Sequence, residues 1–317
     1  MSTPDASSDG AAAIIAAAAN KFKEAYSAQS ITPRALIVGA SGETGQQVLR
    51  ELLSSGAFAQ VTSVGRREVT YGGPNGDRLV QKVVDFEQLC NEHGIERKGA
   101  PNATAAPATG TTTASKVDFQ GHTHAYCCLG TTRAKSGVDG FYRVDHDYTM
   151  AFAKAFYEAN APTAPTAATA SNNAEANDVA DSSSPTGDSP TTPLQFSVVS
   201  STGANARSPL LYVQTKGQVE EELKAMPFTR LTIFRPAGLL CDRKESRFME
   251  TVMVKAIRSI DRIFGTKSLG ISTALLGQAI VLDSLRHPLA KANAAQKQQT
   301  TLSNAAILDS LKTPPAV

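Results

Sequence analysis

The 317-residue chain carries little net charge, +2 with its histidines neutral. That near-balance excludes the bulk attraction to nucleic acid or anionic lipid that a strongly basic chain has. No apolar run approaches the roughly 20 residues of a transmembrane helix. Cysteine is scarce and badly spaced for metal: Cys90, Cys127, Cys128 and Cys241 include no CxxC pair. Adjacent Cys127 and Cys128 fall in an apolar run and read as small buried hydrophobes of a reducing compartment. Residues 1–33 begin acidic with Asp5 and Asp9, hold an alanine-rich block too short for a signal peptide, and contain no arginine. An arginine-rich transit peptide is therefore not indicated, and a poorly ordered extension is expected, with a loose surface helix as the alternative. Segments 99–116 and 161–193 have almost no large apolar side chains. They cannot offset their own ordering entropy by burial and read as disordered, solvent-exposed insertions.

Against these absences, one stretch is rich in information. Ala35 to Val38 is an apolar run that ends at Gly39; Gly42 and Gly45 follow at three-residue steps, and a helical apolar pattern runs from Gln46 to Leu53. Strand, tight turn and helix in that order make a phosphate-binding unit. Gly39 permits the sharp turn, Gly42 a close backbone approach to a pyrophosphate, and Gly45 close packing of helix on strand. The helix's free N–H groups face the anion.

The next strand, Gln60 to Gly65, ends in Arg66-Arg67 with no carboxylate before Glu68. In a dinucleotide fold this strand end lies beside the adenosine ribose. An acid there selects a free 2′-hydroxyl, whereas a guanidinium pairs bidentately with a 2′-phosphate. NADP(H) is thus expected over NAD(H). A third strand at Leu79 to Val84 is followed by Asp85, which suits the adenine rim and a helix N-cap equally. A fourth, Ala125 to Cys128, leads to Leu129 and Gly130, placed to line the nicotinamide-side ribose. Phe141 to Tyr157 carries Val144, Tyr148, Phe152 and Phe156 at helical spacing for packing on the sheet, with Tyr142, His146 and Asp147 expected at the surface or behind the site.

A fifth strand, Gln195 to Ser201, precedes Leu210 to Glu220, where Tyr212 and Lys216 are four apart. On a helix that spacing puts both on one face, one turn apart. A phenol is a poor proton donor and acceptor at neutral pH, and a neighbouring ammonium stabilises its phenolate. Lysine also suits a ribose. A serine at the strand end orients a substrate oxygen; Ser201 is the first choice, with Ser200 and Thr202 as alternatives. A sixth strand, Arg230 to Phe234, helical spacing over Phe248 to Ile263 and Thr273 to Leu285, and a polar tail from His287 with a docking helix near Ala305 to Leu311 complete the pattern.

The strings GASGETG (39–45), VGRR (64–67), CCLGTTR (127–133), YVQTKG (212–217), FRP (234–236) and CDRKESR (241–247) together resemble the atypical short-chain dehydrogenase/reductases of the Tat-interacting protein family, which has fungal, mitochondria-associated relatives. The likeness runs from about residue 34 to 312. It implies an α/β, Rossmann-like doubly wound parallel sheet over 34–286, a small C-terminal substrate-capping region and a tail at 287–317. It also implies bound NADP(H), contacted by Ser41, Gly42, Glu43, Thr44, Arg66, Arg67, Leu129, Gly130, Tyr212, Lys216, Leu239 and Arg247; Leu239 and Arg247 rest on the resemblance alone. The expected activity is oxidoreduction of a carbonyl or alcohol by Tyr212, Lys216 and Ser201. The alternative is an NADP(H)-binding regulatory or redox-sensing protein with protein partners. A small-molecule substrate, a monomer or homodimer, and a cytoplasmic location are expected, with peripheral attachment to the mitochondrial outer membrane as the alternative.

Overall fold

The computed structural model describes residues 6–96, 118–131, 133–161, 193–240, 270–289 and 297–313. The expected insertions at 99–116 and 161–193 fall outside them, apart from Ala161 and Pro193 at the margins, as do Cys241, Arg247 and the helical segment Phe248 to Ile263.

Seven parallel strands form the central sheet: β1 (Arg34–Val38), β2 (Gln60–Gly65), β3 (Leu79–Val83), β4 (His124–Cys127), β5 (Gln195–Val199), β6 (Arg230–Arg235) and β9 (Gln298–Ser303). Their order is β3-β2-β1-β4-β5-β6-β9. Strands at the centre are apolar throughout because helices cover both faces: Ala35, Leu36, Ile37 and Val38 are all fully buried. The chain leaves β1 for β2 on one side and returns to β4 on the other, so the sheet's switch point opens between the C-terminal ends of β1 and β4. Val38 is in register with both Val64 and Cys127. The α/β, Rossmann-like expectation holds.

Helices α2 (Glu43–Ser54) and α7 (Thr273–Arg286) pack on one face, and α3 (Phe86–Glu92), α5 (Tyr148–Asn160) and α6 (Leu211–Ala225) on the other. A small second ladder pairs β7 (Gly238–Leu240) with β8 (Gly270–Ser272). Helix α8 (Asn304–Ser310) docks by burying Ile307, as the tail's apolar cluster foretells.

Three expectations need correction. The N-terminal segment is not a poorly ordered extension: helix α1 (Ala6–Ser27) packs against the α2/α7 face. Ala11, Ile15, Ala18, Ala19, Phe22 and Tyr26 form its buried stripe. Alanine's high helix propensity carries the chain to Phe22, whose ring centroid lies 5.2 Å from Phe58 and 5.5 Å from His124. Second, the polar tail contributes β9, an edge strand with alternating half-exposed residues, in register with β6 from Arg230↔Gln298 to Arg235↔Ser303. Its polarity hid it, since an edge strand buries little. Third, the helix expected from Phe141 is broken into α4 (Arg133–Tyr142), a π-helical turn (Arg143–Asp147) and α5. Of the two placements expected for His146 and Asp147, the surface is excluded: they are buried at 4% and 1% exposure.

Candidate active site

The glycine turn is built by steric necessity. Gly39 has φ of +82°, and a Cβ on it would lie 2.5 Å from the carbonyl oxygen of Cys128 on the neighbouring strand end. A Cβ on Gly45 would run into the carbonyl of Gly39. Gly42 differs: its backbone is extended, and a Cβ would meet nothing closer than Gly39 O at 3.4 Å. Neither strain nor internal packing demands a glycine there, and what it preserves is room on the outside. Gly42 is the N-cap of α2 without a side-chain cap, and Ser41 beside it is exposed. Glu43 occupies the first helical turn and Thr44 is buried. The open helix start beside a turn that no larger residue can adopt fits a pyrophosphate.

Arg66 and Arg67 follow β2 and are exposed. A cleft of about 680 Å³ runs from Ala40 and Ser41 to Arg67 and Glu68, with Arg50 of α2 and Tyr71 on its walls. Arg50 brings a second guanidinium that the sequence reading missed; it lies on the exposed side of α2, one turn beyond Gln46. Asp85 caps α3, its Oδ1 accepting from Glu87 N at 2.8 Å and Gln88 N at 3.4 Å, so of its two expected roles the cap is the one the geometry displays.

Beyond β4, Leu129 is half-buried and Gly130 exposed. Gly130 lies over a buried ion pair: a Cβ on it would be 3.7 Å from Asp145 Oδ1 and 4.0 Å from Lys216 Nζ. Lys216 Nζ is 2.8 Å from Asp145 Oδ1, while Asp145 Oδ2 accepts from Thr131 N at 2.8 Å. Burial opposes charge on Lys216, but the Asp145 carboxylate outweighs it and the ammonium is held above its ordinary pKa. Asp145 sits in the π-helical turn, whose extra residue re-aims side chains relative to a regular helix. Sequence spacing singled out its neighbours His146 and Asp147 and passed it over. The signal was present as a carboxylate beside Val144 on a helix meant for packing.

Tyr212 projects from the first turn of α6, 43% exposed, with its ring centroid 5.7 Å from Phe141. Lys216, one turn on, is 7% exposed. Gly217 lets the loop after β5 close on the helix, since a Cβ there would collide with the backbone of Asn205 and Ala206. Within that loop the three candidate hydroxyls separate. Ser200 is buried and donates to Glu220 Oε1 at 2.5 Å, and Arg235 binds the same carboxylate. Thr202 Oγ1 donates to the carbonyl oxygens of Arg235 and Pro236 at 3.1 and 3.0 Å. Ser201 is half-buried, its Oγ directed to the carbonyl of Thr202 at 3.2 Å. Leu239, on β7, is 39% exposed; Arg247 lies outside the described residues. Cys90 and Cys127 are buried free thiols, with burial pushing Cys90 up to about 12. No group of metal-ligating side chains occurs among the described residues, and no helix among them is long and apolar enough to cross a membrane.

No family model matches the chain. It is 37% identical over 227 residues to protein HTATIP2 of Rattus norvegicus, covering 72% of this chain and 70% of that protein. It is 28% identical over 212 residues to the mitochondrial protein FMP52 of Candida glabrata, covering 67% of this chain and 66% of that protein. A solved short-chain type dehydrogenase/reductase from Mycobacterium ulcerans superposes with a TM-score of 0.50 over 88% of this chain and 90% of that one, at 13% identity, which shows a shared fold. With the glycine turn at the switch point and this similarity across most of its length, the chain belongs to the HTATIP2/FMP52 family of atypical short-chain dehydrogenase/reductases.

Proposed function

We propose that this protein is an NADP(H)-dependent oxidoreductase that interconverts a carbonyl and an alcohol. The observation that carries the reading is the Tyr212/Lys216 pair: a half-exposed phenol one helical turn from a buried lysine whose ammonium is favoured by the Asp145 carboxylate, at the mouth of a sheet whose switch point has an open helix start. When bound, the nicotinamide supplies or accepts the hydride. Tyr212 donates the proton that the reduced oxygen takes up, and in the oxidative direction its phenolate accepts one. Lys216 stabilises that phenolate and holds the ribose, Ser201 orients the reacting oxygen, and Arg66 and Arg67, with Arg50 beside them, pair with the 2′-phosphate. Ser41, Gly42, Glu43 and Thr44 cradle the pyrophosphate, Asp85 borders the adenine, Leu129 and Gly130 the ribose, and Leu239 and Arg247 the far wall.

The Lys216–Asp145 pair also gives the second reading its footing. A carboxylate 2.8 Å from the ammonium weakens the field that Lys216 exerts on Tyr212, which suits a protein that binds NADP(H) as a structural or redox-sensing ligand and works through protein partners. NADPH consumption against a panel of aldehydes, ketones and quinones, compared between wild type and Tyr212→Phe, separates the two. Turnover abolished by the substitution supports catalysis; tight NADPH binding with no turnover on any compound supports the binding protein. A cytoplasmic location completes the proposal, with peripheral attachment to mitochondria as the alternative that relatives named mitochondrial suggest.

A further inference from the structure

The exposed large apolar side chains of the described residues are unevenly spread. Val138, Leu210, Tyr212 and Leu239 are exposed at 48%, 65%, 43% and 39%, and all four belong to segments that follow the C-terminal ends of β4, β5 and β6; Val83, on the outermost strand at the other side, is the remaining one. Tyr212 links them. Its ring packs against Phe141, and Val138 stands one turn before Phe141, after the helix is re-aimed at Gly137 with φ of +69°. Leu210 is the N-cap of α6, two residues before Tyr212. Leu239 is brought round by β7, just past the Arg235 and Pro236 carbonyls that anchor the Ser201 loop through Thr202. Two nearby charged groups pair internally: Lys216 with Asp145, and Arg235 with Glu220.

We propose, resting on the oxidoreductase reading above, that the substrate is an apolar carbonyl compound, an alkyl or aryl aldehyde or ketone, whose hydrocarbon arm lies along Val138, Leu210 and Leu239 while its oxygen meets Tyr212. An apolar wall next to the proton donor gains affinity from every methylene it desolvates, about fourfold each. In the forward direction bound NADPH would supply the hydride to the carbonyl carbon; the C=O π bond breaks, its electron pair takes the proton of Tyr212 to give the alcohol, and a proton from solvent restores the phenol.

The test has two arms on the full-length, NADPH-loaded protein. In the first, kcat/KM is measured for propanal, hexanal, nonanal and a charged aldehyde such as glyoxylate. A rise of at least tenfold from propanal to nonanal, with glyoxylate the poorest, is expected, and a flat series or a preference for glyoxylate overturns the apolar assignment. In the second, binding of the unreactive amides propanamide and nonanamide is measured by calorimetry in wild type, Leu210→Ser and Val138→Ser. Nonanamide should bind at least tenfold more tightly than propanamide, and each substitution should reduce that ratio severalfold. Equal binding of the two amides to wild type overturns the inference whatever the aldehydes do. Amide discrimination without turnover of any aldehyde leaves the apolar site standing and sinks the oxidoreductase reading instead.

Discussion

Lys216 Nζ and Asp145 Oδ1 lie 2.8 Å apart, with the two side chains 8% and 1% exposed. An ammonium so buried is charged because a carboxylate faces it, and the carboxylate is fixed in turn by the Thr131 amide. Asp145→Asn keeps the shape and removes the charge. Breaking one partner of such a pair costs about 3–5 kcal/mol, so the variant should unfold at markedly lower urea. The double variant Asp145→Asn/Lys216→Met should lose less than the sum of its parts. Because Asp145 raises the lysine pKa, its loss should also move the alkaline limb of any NADPH-consuming activity to lower pH. Additive stability losses with an unmoved pH profile would show that the pair is not coupled.

Cofactor choice is the second expectation. Replacing Arg66 and Arg67 together by alanine should weaken NADPH roughly 10–100-fold, the worth of one or two charge-assisted hydrogen bonds, while NADH changes little. Arg50→Ala, in the same cleft, should do the same more weakly. Fluorescence titration with both cofactors reads this directly, and an equal loss for the two would remove the 2′-phosphate from the proposal.

The buried imidazole of His146 yields a pH dependence. Its ring nitrogens lie 2.8 Å from Asp147 Oδ1 and 2.9 Å from Glu222 Oε1, and Tyr142 stacks on it at 4.6 Å. Burial works against its charge, but the hydrogen bonds its ring N–H groups donate to these two carboxylates prevail and raise its pKa above the ordinary value. A raised folded value means stability that is fully present below the unfolded pKa of about 6.5 and is lost as pH climbs through the folded one. Relative to His146→Gln, wild type should therefore be more stable at pH 5.5 than at pH 9, as urea midpoints at both pH values will report. A constant difference would mean that folding leaves the imidazole pKa unchanged.

The N-terminal helix is expected to behave as part of the core. Phe22→Ala removes a fully buried ring that touches Phe58 and His124 and should cost about 3–5 kcal/mol. The exposed neighbour Lys23→Ala should stay within about 0.5 kcal/mol. Thermal melts of the two variants against wild type suffice; comparable small shifts would place α1 outside the cooperative unit.

What was legible in the sequence was what short-range geometry dictates. The strand at Ala35 to Val38, the turn that needs Gly39 and Gly45, and the one-turn separation of Tyr212 and Lys216 each follow from steric rules that operate within a few residues. The doubly wound parallel sheet was expected from the family resemblance, and the apolar central strands match its burial on both faces. Tertiary structure decided the rest, because the partner of a polar atom or a weakly apolar face is set by chain segments far away in sequence. An alanine-rich start became a core helix once Phe22 found Phe58 and His124. A polar tail became an edge strand once Arg230 to Arg235 offered it unpaired backbone groups. Ser200 and Thr202 were drawn into internal hydrogen bonds with Glu220, Arg235 and Pro236, while the half-buried Ser201 donates to the carbonyl of its neighbour Thr202. Asp145, silent in the spacing of its helix, was turned onto Lys216 by a single π-helical turn, and the charge state of the lysine depends on that contact.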